Sequence, residues 1–148
     1  MIKIKQATLN DLNKLAILFD QFRVFYKKQT ALDRAKMFLK ERIEANESVI
    51  FISLDNKNII TGFIQLYPLF SSTRMKRLWL LNDLFVDPSH RGQGISVSLI
   101  DKAKEFARQT GACGLILETT KTNKIGNSLY PKTGFVLDVD HNYYSWDI

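Results

Sequence analysis

The segment Arg91-Gly92-Gln93-Gly94-Ile95-Ser96 has the residue types of an anion-binding turn. Two glycines one residue apart let the backbone come close to a ligand. A helix starting there offers unpaired N–H groups and the positive end of its dipole. Such a turn suits a phosphate or pyrophosphate. It is not a Walker loop, because Gly, four residues and then Gly-Lys-Ser/Thr is absent. Nor is it the dinucleotide fingerprint, which needs a third glycine where Val97 stands and an early βαβ unit that the chain lacks. Cys113 is the single cysteine, which excludes an internal disulfide and a cysteine-rich zinc site. Its context reads as a small hydrophobe in a strand. His90, beside the glycine turn, and His141, in a late turn, have no partners at metal-ligand spacing, so no metal is expected.

The elements that must position this turn follow from periodicity. Ile2 to Ala7 alternates as a first strand. Thr8 to Asp11 has the hydroxyl and the carboxylate three residues on that start a helix. Leu12, Leu15, Phe19, Phe22 and Tyr26 follow at helical spacing, and a second helix spans Leu32 to Ala45. Ser48 to Leu54 reads as a buried strand and Asp55 to Asn58 as a turn. Ile59 to Leu69 returns as a hairpin partner. Gly62 there implies a bend or bulge, and Pro68 an end or an edge position. After a loop at Ser71 to Thr73, Arg77 to Val86 is a strand stopped by Asp87 and Pro88. The glycine turn leads into a helix from Gln93 to Gln109, with Ile95, Leu99, Ile100, Ala103, Phe106 and Ala107 on one face. Gly111 stops it. Gly114 to Thr120 is a strand, and Asn123 to Lys132 a short helix that Pro131 ends near Tyr130. Phe135 to Val139 and Tyr143 to Asp147 read as closing strands around an Asp140-His141-Asn142 turn. The order βααβββαβαββ describes one mixed α/β (α+β) domain over residues 1–148, mostly antiparallel, with a crossover around the glycine-turn helix.

Two motifs resemble those of the GNAT family, the N-acetyltransferases that use acetyl-CoA. In LFVDPSHRGQGIS the strand end, Val-x-Pro and Arg-Gly-x-Gly fall in register with the family's Arg/Gln-x-x-Gly-x-Gly/Ala signature. Ser96 departs from the final Gly/Ala, though it is small. Downstream, NKIGNSLYPKTGF is similar to the family's Asn-x-x-Ala-x-x-Leu-Tyr-x-Lys-x-Gly-Phe segment: Asn123, Leu129, Tyr130, Lys132, Gly134 and Phe135 match, and Gly126 replaces the usual alanine. The element order matches too, so the resemblance covers nearly the whole chain.

The resemblance implies a sheet whose central strands splay, with the cofactor's pantetheine arm filling the gap beside Phe85 and Val86. It implies that Arg91, Gly92, Gln93, Gly94, Ile95 and Ser96 hold the cofactor diphosphate, and that Asn123, Tyr130 and Lys132 also face the cofactor. Acetylating an amine requires that the amine lose a proton, that the thioester oxygen be polarised and that the thiolate be protonated as it leaves. The resemblance gives the oxyanion donor to the backbone near Val86 and the acid to Tyr130. Asn82 cannot serve as a base. Asp83 is the candidate base on that strand, with Glu118 on the next strand as an alternative. For Tyr130, Asn123 and Lys132 the competing readings are a buried aromatic, a helix cap and a solvated cation.

Composition agrees with a globular protein. The chain has 148 residues, 45% of them hydrophobic, enough for a single core. No run is long enough to span a membrane, and the N-terminal MIKIKQATLNDL lacks a signal core, so a cytoplasmic location is expected. A net charge of +6 favours anionic partners. Coenzyme A is one. Nucleic acid is another, but the basic residues are scattered and no recognition element stands out. The expected activity is transfer of acetyl from acetyl-CoA to a primary amine in a ternary complex. A CoA-binding or regulatory domain without catalysis is the first alternative, and a basic nucleic-acid-binding module the second. Phe22, Phe25, Tyr26 and Tyr67 could line an acceptor pocket, although their spacing fits core equally well; the acceptor's identity stays open, and the late strands could pair across a homodimer.

Overall fold

The computed structural model describes residues 1–148. The chain divides into two compact units, Met1–Leu117 and Glu118–Ile148. The first holds a sheet in the order β1-β2-β3-β4-β5, made of β1 (Lys3–Gln6), β2 (Val49–Leu54), β3 (Ile60–Ser71), β4 (Lys76–Val86) and β5 (Leu115–Ile116). The first four strands are antiparallel neighbours, and β5 pairs with β4 in parallel. The mixed α/β class and the crossover between β4 and β5 are as the periodicity implies.

Three helices accompany this sheet: α1 (Leu12–Phe25), α2 (Leu32–Glu44) and α3 (Ile95–Gln109). A 3₁₀ turn at Leu9–Asp11 introduces α1 with the expected capping box. Thr8 accepts from the Asn10 N–H, and Asp11 accepts from the Thr8 N–H and pairs with Lys5 at 2.7 Å. Leu12, Leu15, Ala16 and Phe19 of α1 and Leu39 of α2 join Ile50, Ile52, Phe63 and Phe85 in one core cluster. The opposite sheet face meets α3, whose Phe106 lies edge-on to Phe51 and tilted against Trp79. Strand β2 is therefore covered on both faces, which is why all its residues but Ser53 are apolar, and the buried Ser53 hydroxyl is bonded to Thr61 Oγ1 at 2.9 Å. The Trp79 indole N–H donates to Thr110 Oγ1 at 2.9 Å, tying β4 to the end of α3.

Several boundaries differ from the sequence reading for identifiable reasons. Strand β3 runs through Pro68 to Ser71. The β2 pairing ends at Val49↔Leu66, so Pro68 has a ladder partner only on the β4 side and its missing N–H breaks no bond with β2. Helix α3 starts at Ile95, not Gln93, because Gly94 is left-handed at φ +77. The strand expected over Gly114 to Thr120 is reduced to two residues. Its ladder with β4 stops at Leu80↔Ile116, just before β4 bulges and turns away. Cys113 therefore lies in the bend before β5, half-buried, and not in a strand.

The second unit contains α4 (Lys124–Lys132). This helix does not stop at Tyr130. Pro131 sits in its last turn, where the Thr133, Gly134 and Phe135 N–H groups close on the carbonyls of Leu129, Pro131 and Tyr130. The two closing strands are absent. Residues 135–148 form no ladder, and the Asp138 carboxylate takes the N–H groups of Asp140 and His141 in a local turn. Alternating apolar residues specify a face, but a strand also needs a partner for its backbone. Val136, Leu137, Val139, Tyr143, Tyr144 and Trp146 are all exposed.

Candidate functional site

The bulge in β4 creates the first half of the site. Gln65 stands opposite Asp83 while the next residue, Leu66, stands opposite Leu81, so Asn82 is the extra residue. The bulge turns Leu81 and Asp83 to opposite faces of the sheet, both buried, while Asn82 is exposed. Asp83 is 5% exposed, on the α1 side of the sheet with Phe85. Its carboxylate accepts from Gln65 Nε2 and, at 2.9 Å, from Asn82 Nδ2. Burial pushes its pKa above the usual carboxylate value, against the pull of the two amides. Tyr26 and Tyr67 lie close enough that, after burial, the Asp83 charge is the next cause raising their hydroxyl pKa values.

The end of β4 supplies a backbone donor. The Asp87 N–H donates to the Thr61 carbonyl at 2.9 Å. Alternation along an antiparallel ladder then makes Thr61–Asp87 and Phe63–Phe85 the hydrogen-bonded pairs and Gly62–Val86 the pair that points outward. Val86 thus directs its N–H and C=O away from β3, to the side where β5 no longer pairs. Its carbonyl accepts from Arg91 Nε at 3.2 Å. This open stretch of β4 is the splay that the resemblance implies.

The glycine turn follows directly. Gly92 and Gly94 have φ of +79 and +77, and a Cβ built on either would meet nothing within 4 Å. The positions need glycine for their backbone, and open space lies in front of them. Gly94 caps α3 without a side-chain bond, and the first helical acceptor is its own carbonyl, taken by Ser98 N–H. The N–H groups of Ile95, Ser96 and Val97 are the helix's leading donors. The Ile95 side chain itself is buried against the sheet, so it can serve a ligand only through its N–H, whereas Phe85 has both its side chain buried and its backbone paired with Phe63 and offers a ligand no polar group. Gln93 and Ser96 side chains border the turn, exposed and half-buried respectively. The Arg91 guanidinium lies 5.5 Å from the Phe25 ring centre and 5.6 Å from that of Phe85. The open cradle and donor-rich helix start fit the diphosphate of coenzyme A.

In the second unit, Asn123 caps α4: Oδ1 accepts from the Gly126 N–H at 3.1 Å and Nδ2 donates to Thr119 Oγ1 at 2.9 Å. The Tyr130 ring packs edge-on against Phe135 at 5.8 Å. A Cβ on Gly126 would lie 2.5 Å from Asn123 Nδ2 and 3.1 Å from Tyr130 Cε2, which explains glycine where the motif usually has alanine. Lys132 is exposed in the last turn of α4. Glu118 lies outside β5 and is exposed, which removes the strand position that made it an alternative base. His90 pairs with Ser89 and Asp87, and His141 with Asp138, each within its own turn.

Sequence reasoning overlooked Gln65. Its signal was a lone amide in the apolar run IITGFIQLYPL, sharing a face with Phe63 and Tyr67.

Comparison with known proteins identifies the family. The sequence profile of the Acetyltransferase (GNAT) family matches residues 14–135. A Bacillus subtilis (strain 168) protein described as the uncharacterized N-acetyltransferase YhfO is 43% identical over 147 residues, covering 99% of this chain and 98% of its own. The crystal structure of a probable acetyltransferase superposes with a TM-score of 0.95 at 37% identity, over 99% of this chain and 97% of that one. A predicted acetyltransferase from Clostridium acetobutylicum, solved with acetyl-CoA, shares the fold with a TM-score of 0.79 at 17% identity, over 98% and 96% of the two chains. The chain belongs to the GNAT family of acetyltransferases, enzymes that use acetyl-CoA as acetyl donor.

Proposed function

We propose that this enzyme acetylates a primary amine by direct transfer, with Asp83 as the base. The observation that carries the reading is a buried carboxylate, with a raised pKa, on the same open strand as the outward-pointing Val86 N–H. Acetyl-CoA, when bound, supplies the thioester acyl group. Arg91, Gly92, Gln93, Gly94, Ile95 and Ser96 would hold its diphosphate, chiefly through backbone N–H groups. Phe85 and Val86 would border its arm, and Asn123 and Lys132 would assist. Asp83 takes a proton from the acceptor nitrogen, so that the lone pair can form the new C–N bond. The Val86 N–H donates to the carbonyl oxygen as negative charge builds there. The C–S bond then breaks: the Tyr130 O–H gives its proton to the departing sulfur, and the phenolate is restored by the second proton that the acceptor nitrogen sheds in becoming an amide. An alkyl or aromatic ammonium is the acceptor class that Asp83, Tyr26 and Tyr67 suit, through charge and ring faces.

Residues 1–148 act as one catalytic domain in this reading, and the family match running through both units supports it. The exposed apolar residues between Val136 and Trp146 support a homodimer built on that segment, checked by sedimentation of the full chain and of a chain ending at Gly134. No helix is long and apolar enough to cross a membrane. The free Cys113 supports a reducing, cytoplasmic location. The decisive experiment is free-thiol release from acetyl-CoA with a panel of primary amines. Turnover that disappears in Asp83→Asn while acetyl-CoA binding persists supports the reading. Failure of the wild-type protein to release thiol with any amine overturns it.

A further inference from the structure

Gln65 is fully buried, yet only half of its amide is used. Nε2 donates to Asp83 Oδ2, and Oε1 is buried without a hydrogen-bond partner. An amide retained in this state costs stability that an apolar side chain of the same length would not. Core filling therefore does not account for it. We infer that Gln65 is a positioning residue serving Asp83 in both of its protonation states: Nε2 holds the carboxylate, and a half-turn of the amide brings Oε1 to the carboxylic acid. This rests on the reading of Asp83 as the base.

The two faces of a primary amide make the device work. The ionised carboxylate only accepts, so the NH₂ end must face it. Once Asp83 has taken the acceptor's proton it carries an O–H, and the unpartnered Oε1 is the acceptor one rotation away. Asn82 holds the other carboxylate oxygen, Oδ1, so the carboxyl plane stays fixed while the amide turns. The groups facing the pair are Tyr26, just after α1, and Tyr67 from β3, with Arg42 of α2 acting on Tyr67. Both tyrosines have raised pKa values, so they stay neutral while Asp83 titrates. The charge-assisted bond to the ionised form is the stronger of the two. Loss of the amide therefore favours the protonated acid.

The test needs no acceptor. In protein carrying carboxyl-¹³C aspartate, the resonance missing from Asp83→Asn reports the Asp83 titration. In Gln65→Met, close in length and volume, its midpoint should rise by about one pH unit, a tenfold gain in proton affinity. Gln65→Glu provides a second folded variant, and its facing carboxylates should share one proton and raise the midpoint further. The Gln65 side-chain ¹⁵N amide signals of the wild type should move with the Asp83 midpoint. A Gln65→Met midpoint within about 0.3 unit of wild type, or amide signals flat through the titration, overturns the inference. If Asp83→Asn keeps wild-type turnover, the base reading has failed whatever Gln65 does. If Asp83→Asn is inactive and the Gln65→Met midpoint is unmoved, the Gln65 inference alone has failed.

Discussion

Gly62 and Ile95 meet with no room between them: a Cβ on Gly62 would lie 3.1 Å from Ile95 Cγ2 and 3.0 Å from the Phe85 carbonyl. This glycine in β3 lets the first residue of α3 seat against the sheet, and the seat fixes where the glycine turn points. Gly62→Val overpacks that contact. A loss of ~1–3 kcal/mol is expected in urea unfolding. Acetyl-CoA affinity, measured by calorimetry on the folded variant, should weaken with it because the turn shifts with the helix start. Lost stability with unchanged affinity would separate the seat from the cradle.

Gly94→Asp tests the cradle itself. The backbone at φ +77 tolerates aspartate better than most residues, so the fold should persist. The added carboxylate stands in front of the leading N–H groups of α3 and competes with any diphosphate. Titration with acetyl-CoA should show affinity reduced at least tenfold, ~1.4 kcal/mol. Unchanged affinity in a folded variant would place the diphosphate elsewhere.

Tyr130→Phe keeps the ring contact with Phe135 and removes only the O–H. A general acid contributes ~10²–10⁴-fold, so kcat should drop within that range while the acetyl-CoA dissociation constant hardly changes. A tyrosine whose O–H serves only structure predicts instead a stability loss of about 1 kcal/mol with near-normal turnover. Melting and steady-state rates on one preparation distinguish the two.

Asp20 contributes to the acid side of stability. Its buried carboxylate accepts from Thr30 Oγ1, from the Ala31 N–H at 2.9 Å and from Arg23, and so ties the α1–α2 connection together. These bonds, Thr30 first, hold its pKa below the ordinary aspartate value. The folded chain therefore binds the Asp20 proton less tightly than the unfolded chain does. The contribution is complete above about pH 4, the unfolded range, and drains away as pH falls through the lowered folded value. Asp20→Asn should lose ~1 kcal/mol at neutral pH and flatten that acid slope. An unaltered slope in urea midpoints taken across that range would assign it to other carboxylates.

The two histidines should be dispensable. Each is occupied within its own turn, by Ser89 and Asp87 or by Asp138. A His90→Gln, His141→Gln double variant should turn over within a few-fold of wild type. Loss of turnover with acetyl-CoA binding intact would move the base away from Asp83.

Much of this arrangement was legible from residue order. Glycines at positions 92 and 94 before a helical apolar stripe announced the turn, and Gly62 announced an irregularity that appears as a register shift beside Ser53 and Leu54. Local pattern could not show pairing. The alternation of Phe135, Leu137 and Val139 looks like a strand, but only a neighbouring ladder makes one. The β4 bulge at Asn82 was equally hidden, since LWLLNDLFV reads as an unbroken strand. That bulge decides which way Asp83 faces, so its burial and its partner Gln65 required the three-dimensional register.

The bond from Trp79 to Thr110 has an optical consequence. The chain has two tryptophans. Trp79 is buried in the sheet with its indole N–H occupied, whereas Trp146 is exposed in the second unit. Their emission should separate into a blue component shielded from iodide and a red component open to it. Replacing either tryptophan with phenylalanine leaves a chain with a single reporter. Trp79 would then follow melting of the sheet, and Trp146 would register whatever comes to cover the C-terminal segment, including a second copy of the chain. Without any added label, the protein carries separate fluorescent gauges for its sheet and for its C-terminal segment.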